Sequence, residues 1–185
     1  MPMPVFHSKR ERRYWLYALA VVAAIYATLG VSPKIAGFLR EHGLLEPAFA
    51  MGMILVVASI VTNGMKARPG GAEITVILGI AAVYMLLFVR LEASLEERTH
   101  LIEYGVVGVF VYEALSERAR NGHSMMTPAV PAIAVTAAIG VLDECIQAIL
   151  PNRVFDPQDI LFNVLAGTMA VVACTVLAWV RKTWG

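Results

Sequence analysis

The chain has 185 residues, of which 58% are hydrophobic and only 16% charged, and its formal net charge is +1. Soluble domains run nearer about 45–50% apolar and about 25% charged, so this balance points to a membrane protein. A near-neutral charge with short basic clusters gives no footing for nucleic acid as a partner.

Residues 1–13 form a basic N-terminus with Lys9, Arg10, Arg12 and Arg13. The apolar run from Tyr14 to Val31 exceeds the roughly 7–15 residues of a signal-peptide core. No small-x-small cleavage site stands before Ser32-Pro33-Lys34, so the run is expected to stay as a first transmembrane helix. Residues 32–47 read as a loop with a short interfacial helix over Ile35–His42. A second apolar run, Ala48–Thr62, falls short of the usual ~20 residues. It either crosses with tilt and local thinning or is partly re-entrant. Asn63–Gly71 is a turn, and a third run covers Ala72–Val89. A charged connector with Arg90, Glu92, Glu96, Glu97 and Arg98 leads to a fourth run, His100–Leu115. Its first turns carry His100, Glu103 and Tyr104. After a polar loop over 116–127 come the fifth run, Pro128–Leu150, and a sixth from Asp159 to Arg181-Lys182.

The expected fold class is therefore all-α: a polytopic transmembrane helical bundle of about six spans. It divides into a basic N-terminus (1–13), three helices with connectors (14–97) and a core (98–182). Six spans place the loops alternately on two sides. One side receives ten cationic residues (Lys9, Arg10, Arg12, Arg13, Lys66, Arg68, Arg118, Arg120, Arg181, Lys182) and the other five (Lys34, Arg40, Arg90, Arg98, Arg153). The positive-inside rule puts both termini in the cytoplasm. Cys145 and Cys174 then lie about 14 Å apart in depth at 1.5 Å per residue. A disulfide needs Cα atoms within about 7 Å, so two free, buried thiols are expected.

This topology collects the unusual polar residues toward the extracytoplasmic side. Residues three and four apart share a helix face. His100, Glu103 and Tyr104 make one stripe. Asp143 and Gln147, with Glu144 beside them, make a second. Asp159, Asn163 and Gly167 make a third, across a loop that holds Arg153 and Asp156. Acids inside a span cost roughly 2.5–3.5 kcal/mol each on insertion scales, so they turn inward and pair. Three chemistries suit such a cluster. One is acid/base work by His100 with Asp143 or Glu144. Another is a hard divalent cation on Asp143, Glu144, Asp159 and His100. The third is an anion held by Arg153, with Arg90 or Arg98. Against all three stands a plain role as interhelical glue, at about 0.6 kcal/mol per hydrogen bond.

The series His100-x-x-Glu103-Tyr104, then Asp143-Glu144-x-x-Gln147, Pro151, Arg153, Asp156, Asp159 and Asn163, resembles the VanZ-like family over about residues 98–170. The glycine that the family carries three positions after the Asn is Ala166 here, with Gly167 next. Two further apolar runs precede the His100 helix, beyond the family's usual core. The resemblance implies a small multi-pass protein of the bacterial inner membrane, in a family linked to low-level resistance to the glycopeptide teicoplanin. It fixes neither a molecular activity nor a cofactor.

The candidate roles are catalytic for His100, Asp143 and Glu144, and substrate-binding for Tyr104, Gln147, Arg153, Asp159 and Asn163, with no metal site assigned. The expected partners are membrane lipids, including a lipid-linked envelope precursor. The main expectation is action on such a lipid at the outer face. The alternatives are lipid binding or transport without bond breaking, and a structural subunit of a membrane complex.

Overall fold

The computed structural model describes residues 6–48, 51, 70–90, 95–122, 127–151 and 155–184; of residues 32–33, 87–90 and 95–98 it describes the backbone alone. These residues are helical and contain no strand. The helices used below are α1 (Lys9–Thr28), α2 (Ser32–Glu41), α3 (Gly71–Arg90), α4 (Leu95–Arg120), α5 (Ala129–Gln147) and α6 (Pro157–Trp184). The second apolar run of the sequence lies mostly outside the described residues.

The helix ends follow local chemistry. Ser8 caps α1, its Oγ accepting from the Glu11 N–H at 2.9 Å. The sequence Ser8-x-x-Glu11 is a capping-box pattern. Here Glu11 Oε2 accepts from the His7 N–H at 2.8 Å instead of from the cap residue. Asp156-Pro157 starts α6: Asp156 Oδ1 accepts from the Gln158 N–H at 2.8 Å, and proline needs no donor at the first helical position. Just beyond α4, Gly122 takes φ +92°, a conformation that glycine adopts without strain.

The chain forms two compact units. The first comprises Met1–Gly30 and Ala93–Thr175, hence α1, α4, α5 and most of α6. In it α1 runs antiparallel to α4: Glu11 pairs with Arg118, and Tyr17 packs on Phe110 at 5.5 Å between ring centroids. Its apolar core joins Ala18 and Ile25 of α1 to Val107, Val111 and Leu115 of α4, Ala132 of α5 and Val171 of α6. Bare backbone sets the closest helix approaches. A Cβ on Gly108 of α4 would stand 3.1 Å from the Gly167 carbonyl oxygen of α6. One on Gly167 would stand 2.6 Å from Cγ2 of Thr136 on α5. Such small-residue seams drive helix association where no water competes. In the second unit, Val31–Glu92 with Val176–Gly185, Glu73 of α3 pairs with Arg181.

The distribution of side chains inverts that of a soluble protein. Leu16, Leu19, Leu78, Val130, Leu142, Leu161 and Trp179 point outward, while Glu11, Tyr104, Asp143, Glu144, Gln147 and Asn163 are enclosed. Helices α5 and α6 are each long and apolar enough to cross a membrane, and Gly71–Leu86 of α3 is a shorter apolar stretch. This pattern fits a membrane protein. Both cysteines are free, as expected, but Cys145 is exposed rather than buried. It lies on the side of α5 opposite the buried face formed by Thr136, Gly140, Asp143, Glu144 and Gln147.

Candidate functional site

The site lies at one end of the first unit and draws on three helices. The inward face of α4 runs from His100 through Tyr104, Val107, Gly108 and Val111. That of α6 runs from Asp159 through Asn163, Ala166, Gly167 and Ala170. Both repeat at i, i+4, i+7, i+8 and i+11, so each polar end continues directly into an apolar stripe. The face of α5 reverses this order, because α5 is antiparallel to α6: Gly140 meets Asn163 and Thr136 meets Gly167. The polar ends of all three stripes therefore coincide.

Gln147 ties the two acids of α5 together. Its Nε2 donates to Asp143 Oδ2 at 3.3 Å and to Glu144 Oε1 at 3.1 Å. The Asp156 N–H donates to Glu144 Oε2 at 3.1 Å, which fastens α5 to the start of α6. The positive end of the α6 dipole also favours a carboxylate there. Tyr104 of α4 is wholly enclosed beside Asp143 of α5. His100 lies between two carboxylates, with Nε2 3.8 Å from Asp159 Oδ2 and Nδ1 3.8 Å from Glu103 Oε2. Its ring centroid is 6.1 Å from that of Tyr104.

Asn163 lies against Gly140, one turn from Glu144. It is 0% exposed, and neither its Oδ1 nor its Nδ2 has a hydrogen-bond partner. Gly140 gives it room: a Cβ there would lie 2.7 Å from Asn163 Cβ and 3.3 Å from Nδ2. A buried amide left this way costs about 1–3 kcal/mol.

The structure thus brings together seven of the eight residues singled out in the sequence: His100, Tyr104, Asp143, Glu144, Gln147, Asp159 and Asn163. Arg153 lies outside the described residues, as do the side chains of Arg90 and Arg98, and with them the anion option. Among the described residues no group of three or more His, Cys, Asp or Glu is arranged to hold a metal ion, so the divalent-cation option has no support in this geometry. What the arrangement offers is an imidazole between carboxylates, two enclosed acids that share one amide, and an unsatisfied amide beneath them.

Sequence reasoning missed two contributors. Tyr26 of α1 donates to the Ile139 carbonyl at 3.0 Å, bringing α1 up to this end of α5. Glu11, expected only as part of a basic tail, is 0% exposed and pairs with Arg118 Nε at 2.8 Å at the opposite end. Its capping-box spacing was a visible signal; Tyr26 offered none.

Neither a curated protein nor a solved structure matches the chain. A family model described as VanZ/LLP1 matches residues 14–178, a wider span than the 98–170 that carries the resemblance, and includes α1 from Tyr14 onward and every described residue of the site. The chain belongs to the VanZ/LLP1 family.

Proposed function

We propose that the protein is a six-span inner-membrane protein with both termini in the cytoplasm. In this reading its polar cluster opens to the extracytoplasmic face and acts on the headgroup of an envelope lipid or lipid-linked precursor. His100, Asp143 and Glu144 handle protons there, while Tyr104, Gln147, Arg153, Asp159 and Asn163 position the headgroup. One observation carries the reading: two adjacent carboxylates, fully enclosed, lie at the end of a bundle whose exterior is apolar. Ionisable groups so placed are expensive and typically mark a site. An imidazole beside carboxylates supplies a group that can take up and return a proton.

A second reading draws on Gln147. By tying Asp143 to Glu144 within one helix, it suits a cluster that fixes helix packing in a larger complex. Lipid extracts separate the two. Cells carrying the gene, lacking it, or carrying Asp143→Asn are compared for their lipids. The expected result is a lipid species that changes on deletion and stays changed with the folded variant. Identical lipid profiles in all three strains would sink the proposal in favour of the packing role. The family's link to teicoplanin fits a lipid altered at the outer face, and deletion is expected to lower tolerance of that antibiotic slightly.

A further inference from the structure

The charge around the site narrows what the headgroup must carry; the step rests on the lipid reading above. The described side chains of residues 99–104, 143–151 and 155–163 include five carboxylates and no lysine or arginine. Glu144 is 0% exposed, and among the described residues its hydrogen-bond partners are both neutral donors, the Gln147 amide and the Asp156 N–H. Among the described residues no lysine or arginine pairs with it. A carboxylate has about four acceptor positions, so two of them remain. An enclosed carboxylate without a counter-charge is costly, and a bound cation lowers that cost.

Asn163 is the second, independent sign. Gly140, against which its amide packs, lies one turn from Glu144 on the same face of α5. The orphaned Oδ1 is a further acceptor on a residue packed one turn below Glu144. A phosphate brought here would add like charge, and a neutral polyol would leave the charge deficit in place. A protonated primary amine supplies both the charge and three donors.

We propose that this end of the bundle takes the ammonium group of an amine-bearing lipid headgroup, with Glu144 as counter-charge and Asn163 Oδ1 as a further acceptor. Nδ2 of Asn163 then donates to an oxygen that such a headgroup carries near its amine.

The test uses the purified full chain in mixed micelles with equal amounts of phosphatidylethanolamine, phosphatidylglycerol and phosphatidylcholine of the same acyl chains. Bound lipid is read by native mass spectrometry. The three share the phosphate, and only the first carries a primary amine. The wild type is expected to retain phosphatidylethanolamine about tenfold over the other two, the worth of one charge-assisted hydrogen bond. Folded Glu144→Gln is expected to bring the ratio to within about twofold, and Asn163→Ala to reduce it less. Equal retention of all three by the wild type overturns the ammonium assignment and leaves the lipid reading standing. Retention of none overturns both. A folded Glu144→Gln protein that keeps the wild-type ratio overturns the role of Glu144. The wild-type comparison decides even where a variant does not fold.

Discussion

The two polar ends of the first unit bury carboxylates with different outcomes. At one end Glu11 has the Arg118 guanidinium at 2.8 Å and the His7 N–H at 2.8 Å, so charge meets charge. At the other end, among the described residues, Glu144 has only neutral donors, and beneath it the Asn163 amide has none. Both acids are equally enclosed. Burial alone therefore does not mark a site; an unmet demand for a partner does. The Glu11 end is a clasp between the start of α1 and the end of α4, whereas the Glu144 end is, on the proposed reading, where a headgroup docks.

That contrast can be broken by substitution. The largest effect is expected for Glu11→Ala, which removes the carboxylate from the Arg118 ion pair and the acceptor of the His7 N–H. A loss of about 2–3 kcal/mol, read from thermal unfolding in detergent, is expected with no change in lipid retention. A lipid phenotype without loss of stability would erase the distinction. Next comes Gly167→Ala, whose new methyl would overlap Thr136 Cγ2. Forcing α5 from α6 is expected to cost about 1–3 kcal/mol and to disturb the site beside it. The smallest change in stability, and the most telling, is expected for Asn163→Leu. Removing a buried, unsatisfied amide is expected to leave stability unchanged or raise it by about 1 kcal/mol while function is lost. A marked fall in stability would show that Asn163 is structural, like Glu11.

Much of this was legible in the chain because apolar runs and i, i+4 spacing are local. The run Ala72–Val89 became α3 over Gly71–Arg90, and Asp159, Asn163 and Gly167 do share one face. Helix ends were less legible where charged residues continue an apolar helix. Tyr14 was read as the start of α1, which begins at Lys9, and Leu115 as the end of α4, which reaches Arg120. The antiparallel pairing of α1 with α4 left no trace in the sequence, because Glu11 and Arg118 are 107 positions apart and each reads as an ordinary charge beside a span. The pairing of Gly140 with Asn163 was equally hidden: the sequence displays a glycine, but not that an amide needs its space.

The glycine seam has a consequence for traffic. Where Gly108 meets Gly167 and Gly167 meets Thr136, the backbones of α4, α5 and α6 are already shoulder to shoulder. A corridor between these three helices past that waist would need them prised apart. On the proposed reading, a headgroup that reaches Glu144 therefore leaves by the side it entered, which favours a docking berth over a conduit.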